Sequence, residues 1–116
     1  MADMDHLEWL DSLPCEVTVC DKDYKILYMN DKATQKRAKY GGKALIGKNL
    51  MDHHPPEAQE QIRKIMASDL PSVYTTEKKG VKKLKYQARW MRNGEVAGII
   101  YFSIELPSEM PSLVKD

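Results

Sequence analysis

The sequence has almost no net charge, because 18 Lys and Arg residues face 17 Asp and Glu residues, which leaves a formal charge of +1. This balance provides no overall electrostatic attraction to nucleic acid or to a membrane surface. No apolar run approaches the roughly 18 to 20 residues that a membrane-spanning helix requires. Residues 1–6 are acidic and lack the apolar segment of a signal peptide. We therefore expect a cytoplasmic protein with no membrane or nucleic-acid partner.

Cysteine is scarce, since the chain contains only Cys15 and Cys20. Their odd spacing places them on opposite faces of a strand, so they cannot form a disulfide with each other without breaking that strand. The spacing also matches no usual zinc motif. Both are predicted to be reduced, largely structural thiols, in agreement with a reducing compartment.

Catalytic motifs are missing as well. The sequence has no HExxH, no phosphate-cradling glycine loop and no Ser/His/Asp or Cys/His pattern with supporting residues. We therefore expect that the protein is not an enzyme. The Lys-rich stretch at 78–85 falls on a predicted hairpin and on an outward strand face, where lysines protect a sheet edge from aggregation.

Hydrophobic periodicity predicts one α+β domain with a single antiparallel sheet and helices on one face. Alternation is clear at 81–92 and 95–106, which Asn93-Gly94 joins as a tight hairpin. Apolar residues at helical spacing in 57–66 predict a helix that packs on a core. The predicted elements are a helix at 5–13, strands at 15–20 and 24–29, helices at 32–40, 43–46 and 57–66, and strands at 73–78, 81–92 and 95–106.

The two halves of the chain meet in a turn at residues 46–56. Pro55 and Pro56 are predicted to open the following helix, where a missing N–H does no harm. His53 and His54 lie just before that helix, close to Leu50. Such a turn is either the wall of a small pocket or an ordinary structural turn, and these residues alone leave both interpretations open.

Several segments, by their order and spacing, resemble the PAS domain family. They are Val17-Thr18-Val19-Cys20-Asp21, Ile26-Leu27-Tyr28-Met29-Asn30, Leu45-Ile46-Gly47-Lys48-Asn49-Leu50, His54-Pro55 and Asn93-Gly94-Glu95-Val96-Ala97-Gly98. The turn also resembles a PAS subgroup that carries Cys-His-Pro-Pro, with His53 standing here in place of that Cys. Properties that rest on the thiol of that subgroup therefore do not carry over.

The resemblance implies a five-stranded antiparallel sheet, helices over one face, and a pocket between them for a small molecule or cofactor. PAS domains sense ligands, redox state or light, and they commonly dimerise through an N-terminal helix. We accordingly expect a sensory module that binds a small molecule and signals through contact with a partner protein in trans. The alternative is a ligand-free interaction and dimerisation module with a filled core.

The resemblance also restricts the cofactor. Flavin photosensors of this family carry a reactive Cys on the helix after the second strand, and residues 30–40 contain none, so a photoactive flavin is not expected. Haem-binding members use a His on the long helix, but residues 57–66 contain no His. His53 and His54 remain candidate haem ligands as a lesser alternative. A lone metal ion is not expected, and the identity of any other ligand stays open.

Strand parity and the apolar helix face together define the expected pocket lining. The predicted residues are Val17, Val19, Ile46, Leu50, His53, Ile62, Met66, Tyr74, Tyr86, Ile100 and Phe102. They combine the more apolar side of each strand with the apolar side of the helix.

We expect residues 1–13 to form an N-terminal helix, residues 14–107 the PAS domain, and residues 108–116 a disordered tail. So short a helix needs a surface to cover. Its candidate dimer contacts are Leu7, Trp9, Leu10 and Leu13. We predict a homodimer in which this helix packs on the partner, since the sheet face away from the pocket would otherwise stay uncovered. That face is expected to carry Thr18, Cys20, Gln87, Arg89, Ile99 and Tyr101.

Overall fold

The computed structural model describes residues 7–116 and contains a five-stranded antiparallel sheet in the order β2-β1-β5-β4-β3. The strands are β1 (Glu16–Asp21), β2 (Ile26–Met29), β3 (Ser72–Lys78), β4 (Val81–Arg92) and β5 (Glu95–Glu105). Because β5 pairs with both β1 and β4, it joins the first hairpin to the last three strands. The predicted α+β fold is confirmed.

The helices that separate β2 from β3 cover one face of this sheet, which we call the inner face. They are α2 (Asp31–Lys36), α3 (Pro56–Ala67) and short 3₁₀ turns at Ala38–Tyr40, Gly42–Leu45 and Leu50–His53. Pro56 occupies the first turn of α3, as its missing N–H allows. Ile62 and Ile65 of α3 pack against Cys20 and Ile99 of the sheet.

Tight turns follow the local sequence. Asn93 and Gly94 both adopt positive φ between β4 and β5, as the hairpin signal predicts. Lys79 and Gly80 do the same between β3 and β4. Residues 106–116 contain no helix or strand, and no helix between residues 7 and 116 combines the length and apolar character needed to cross a membrane.

The N-terminal segment covers the opposite, outer face of the sheet. Within the described residues its helix, α1, spans only Glu8–Asp11, and residues 1–6 of the predicted helix lie outside the described range. Leu10 and Leu13 pack against β1 and β2. The Tyr28 hydroxyl donates a hydrogen bond to the Asp11 carboxylate, and burial together with that bond raises the pKa of Tyr28. The chain therefore covers part of this face itself.

Asn30 holds these pieces together from a fully buried position between β2 and α2. Its Oδ1 accepts hydrogen bonds from the backbone N–H groups of Val17 at 3.0 Å and Ala33 at 3.1 Å. Its Nδ2 donates to the carbonyl oxygens of Cys15 at 2.8 Å and Leu10 at 3.2 Å. One amide thus caps α2 and ties it to β1 and to the N-terminal segment.

Gly98 permits a close crossing of β4, β5 and β1. A Cβ atom at this position would lie 1.9 Å from the carbonyl oxygen of Cys20, so no other residue fits without displacing backbone. The same carbonyl accepts a hydrogen bond from the Trp90 indole at 3.0 Å. This bond connects two strands that are not neighbours in the sheet.

We predict that Asn30→Ala lowers the free energy of unfolding by about 3 kcal/mol or more, because it leaves several buried backbone groups without partners. Asn49→Ala is the matched control, since Asn49 is also an N-cap but is exposed, and its side-chain oxygen accepts from the Met51 N–H. Its loss is expected to cost about 1 kcal/mol. Urea unfolding of both variants measures the difference, and equal losses would contradict the role given to Asn30.

Candidate functional site

A cavity of about 520 Å³ lies between the inner face of the sheet and the covering helices. This volume falls within the range of small-molecule pockets. Its apolar wall is formed mainly by β1, β2, α3 and the connecting turns. The apolar side chains of this wall include Ile26, Met29, Leu45, Leu50, Ile62, Ile65 and Ile99.

Polar side chains from β3, β4 and β5 form the other wall. The Lys85 ammonium donates hydrogen bonds to the Tyr101 hydroxyl at 3.0 Å and to the Ser103 hydroxyl at 2.9 Å. The Gln87 amide donates to the Tyr74 hydroxyl at 3.4 Å. All of these except Ser103 line the cavity. The cavity is therefore amphipathic, with its polar groups on the sheet.

Positively charged side chains outnumber negatively charged ones in the lining of the cavity. Glu16 is buried and is the one carboxylate among the lining residues, and it faces the Lys83 ammonium at 3.6 Å. Arg37 and Lys85 also line the cavity. Between residues 7 and 116 neither of these two cations lies within ion-pair distance of a carboxylate.

The turn at 49–56 supplies two histidines, His53 and His54, to the lining of the cavity and is held by side-chain hydrogen bonds. Gln59 of α3 donates to the carbonyl oxygens of Met51 at 3.0 Å and His54 at 2.9 Å. His54 Nδ1 lies 2.8 Å from the Leu50 carbonyl oxygen. Because a carbonyl only accepts, this nitrogen carries the proton, which leaves Nε2 as an acceptor in the neutral ring. His53 packs its ring against Tyr40, with centroids 6.0 Å apart.

A sequence model of the PAS fold family matches residues 10–79. The chain belongs to the PAS family. The match covers the N-terminal segment, the first hairpin, the covering helices and β3, and thus includes most of the apolar wall of the cavity.

Solved structures share the PAS fold over nearly the whole chain. A sensory box sensor histidine kinase from Vibrio cholerae aligns with a TM-score of 0.65 and 19% identity, covering 91% of this chain and 93% of that one. The Aer2 receptor of the same organism, a dual PAS-heme oxygen sensor, aligns at 0.61 and 18%, covering 80% and 95%. Vibrio cholerae VqmA bound to DPO aligns at 0.66 and 16%, covering 89% of this chain and 57% of VqmA. No curated protein sequence gives a significant match.

The PAS domain brings four of the predicted pocket residues to the cavity: Leu50, His53, Ile62 and Tyr74. The other predicted positions lie elsewhere. Ile46 is largely exposed and Met66 packs beside the core without lining the cavity. Five of the six strand positions predicted for the lining are on the outer face; they are Val17, Val19, Tyr86, Ile100 and Phe102.

The predicted strand parity is therefore wrong for β1, β4 and β5, and it agrees with the structure for Tyr74 of β3. The residues assigned to an uncovered face, with the exception of Arg89, line the cavity instead; they are Thr18, Cys20, Gln87, Ile99 and Tyr101. Lys85, assigned to a solvated strand face, also belongs to the cavity. On β1 the more apolar side, with Val17 and Val19, packs under the N-terminal segment, because that contact is close-packed, whereas a cavity tolerates polar groups. A signal for Lys85 and Gln87 existed in the sequence: both lie midway along the longest predicted strand, where sheet residues are least exposed.

The cysteines and histidines of the PAS domain bear on whether it can form a disulfide or hold a metal ion or a haem. Cys15 and Cys20 are both free thiols, as predicted. Between residues 7 and 116 no three His, Cys, Asp or Glu side chains cluster to hold a metal ion. A haem needs one axial imidazole, and His54 fits that role better than His53, because the Leu50 carbonyl fixes its tautomer and leaves Nε2 available.

We predict that Cys20 is protected from alkylation. It borders the cavity, and burial is the main cause that raises its pKa to about 11. At pH 8 iodoacetamide should therefore label Cys20 in the folded protein about a hundredfold more slowly than in urea, with a faster rate as pH rises toward that pKa. Cys15 is the internal control, since it is half-buried. Peptide mass spectrometry measures both, and rapid labelling of Cys20 in the folded chain would contradict its placement.

Proposed function

We propose that this PAS domain is a sensory module that binds a small molecule in the cavity and passes the signal on through protein–protein contact. The observation that carries the proposal is the amphipathic cavity, whose apolar walls and convergent polar groups are typical of ligand sites. VqmA, a structural neighbour, is described as bound to DPO, and Aer2 as a PAS-heme sensor. The proposal includes no catalytic step and places the module in the cytoplasm.

Side chains that alternate between the two faces of β4 link the cavity to the outer face of the sheet. Lys85 and Gln87 line the cavity, whereas Leu84 and Tyr86, their neighbours along β4, lie on the outer face. A ligand that favours one position of these strands would shift the population of outer-face conformations. The partner that reads this shift is a protein in trans or a second copy of the chain.

A second copy is the partner that the outer face favours. The N-terminal segment covers β1 and β2, while the part of this face over β3 and the adjoining strands leaves Val73 53% exposed and Ile104 36% exposed. Trp9 is 65% exposed on the segment itself. Partly uncovered apolar surface of this kind marks contact sites, so we retain the homodimer as part of the proposal.

We predict that Trp9→Ser converts a homodimer to a folded monomer. Deleting residues 1–13 is a poorer test, because Leu10 and Asp11 also bond to Asn30 and Tyr28. Leu70→Ser is the control, since Leu70 is 73% exposed but lies in the loop before β3. Light scattering after size exclusion measures the mass. A wild-type mass of one chain would contradict the dimer, and a dimeric Trp9→Ser would contradict this contact.

We predict that Ala58→Trp abolishes ligand binding by filling the cavity, because Ala58 lines it from α3. Ala67→Trp places the same side chain at the exposed end of α3, outside the cavity, and should bind as wild type does. Thermal shift across a metabolite panel measures both, since a specific ligand stabilises the native state by mass action. Shifts that persist unchanged in Ala58→Trp would exclude this cavity as the site.

Haem is the second candidate ligand, favoured by the fixed tautomer of His54. If bound, it would supply iron-centred gas or redox sensing, with His54 as the axial ligand. An absorption spectrum of the purified protein separates the candidates: a Soret band that His54→Ala removes would establish haem. The ligand-free interaction module is supported instead if the protein has no visible absorption band, no metabolite shifts its melting temperature and light scattering still shows a dimer.

A further inference from the structure

We propose that the cavity selects a small carboxylate with an apolar body, and that Lys85 holds its carboxyl group. This inference rests on the proposed function and names the ligand class for the same site. It follows from three features of the polar wall: the charge of Lys85, the balance of charges around it, and the hydrogen-bond donors that its side chains offer to a ligand.

Lys85 is half-buried in the long strand β4, where its ammonium donates to two neutral hydroxyl groups and lies 5.7 Å from the centroid of the Tyr101 ring. Between residues 7 and 116 no carboxylate lies within ion-pair distance of its ammonium. Hydroxyl oxygens satisfy two of its three N–H donors but provide no countercharge. A partly buried ammonium without a counterion is destabilising, so an anion that enters the cavity gains an interaction that the protein alone does not supply.

The neighbouring charges add to this preference. Glu16 is the one carboxylate among the lining residues, and its charge is already offset by Lys83 at 3.6 Å. Arg37 lines the cavity as a second cation that forms no ion pair within the described residues. Cations therefore exceed anions at the cavity, although the chain as a whole carries only +1. A local excess of this sign concentrates small anions.

The hydroxyl groups at the cavity keep O–H donors that a ligand can accept. Tyr101 accepts from Lys85 and Tyr74 accepts from Gln87, so each phenol keeps its own O–H hydrogen to donate. Together with the third N–H of Lys85, these two hydrogens give the cavity three donors for a ligand, and the Gln87 carbonyl oxygen lies beside them as an acceptor. A carboxylate brings acceptor-only oxygens, so it matches this wall better than an amide, an alcohol or an amine.

The apolar wall determines the rest of the ligand. Ile62 and Ile65 line the cavity from α3, and Ile99 lines it from β5 beside Tyr101. A body of roughly six to ten carbons, aliphatic or aromatic, fits within a cavity of about 520 Å³ together with its carboxyl group. A phosphate monoester has a second charge and stronger hydration, and it suits these walls less well.

The test uses matched probes and matched variants. Octanoate and 3-phenylpropionate are titrated by calorimetry against octanamide and 3-phenylpropionamide, which keep the apolar body and lose the charge. Lys85→Met keeps the length of the side chain without the ammonium, and Tyr101→Phe removes one hydroxyl. Lys82→Met is the control, because Lys82 lies on the same strand but is exposed and outside the cavity.

At least one acid should bind wild type and Lys82→Met at least about tenfold more tightly than its amide. Lys85→Met should lose that preference, and Tyr101→Phe should weaken it. Amides that bind as well as acids, or acids that bind Lys85→Met unchanged, would overturn the carboxylate proposal while leaving the cavity as a ligand site. Binding of phenyl phosphate but of neither acid would overturn it too. If no acid, amide or phosphate binds, the carboxylate proposal fails, and the metabolite panel with Ala58→Trp decides separately whether the ligand-binding function fails.

Discussion

One buried amide determines how the layers of this protein meet. Asn30 is fully buried, and its two polar atoms bond to the N-terminal segment, to β1 and to the first turn of α2. Because these bonds run to opposite sides of the sheet, the cover of the outer face and the roof of the cavity are fixed by the same side chain. Asn30 thus fixes the position at which the helices over the inner face begin, so a cavity can remain beneath them without collapse of the fold.

The two faces of the sheet differ in polarity and in what covers them. Val17 and Val19 make the outer face a solid apolar layer under Leu10 and Leu13. The inner face carries polar residues that would be costly in a close-packed core but are acceptable beside a cavity that a ligand or solvent can enter. Because successive residues of β4 and β5 belong to opposite faces, a residue at the cavity and one on the outer surface are a single peptide unit apart. This arrangement connects binding with signalling in the proposed function.

Local rules predicted most of the fold. The Asn93-Gly94 hairpin, the Pro56 start of α3 and the order of elements all follow from turn chemistry and periodicity. The helix at 32–40 is shorter than predicted, since α2 ends at Lys36 and a 3₁₀ turn continues to Tyr40. The resemblance to PAS domains, carried by short motifs in a fixed order, predicted the sheet and its covered face.

The strand faces could not be assigned from the sequence, for a physical reason. The rule that apolar residues point toward the covering helices holds for a filled core, but here the N-terminal segment covers the other face and takes the more apolar residues. Lys85 was not predicted as a cavity residue, because a lysine on a strand usually points into solvent. Leu50, His53, Ile62 and Tyr74 line the cavity because the turn, α3 and β3 contact it, and their role in ligand binding stays a prediction.

The central claim is that the cavity holds a small molecule, and native mass spectrometry of the purified chain compared with denaturing mass spectrometry tests it most directly. The account predicts a mass excess in the native spectrum that disappears on denaturation, or that appears after incubation with a cell extract of small molecules. A native mass equal to that of the bare chain, or of its bare dimer, under both conditions would contradict it.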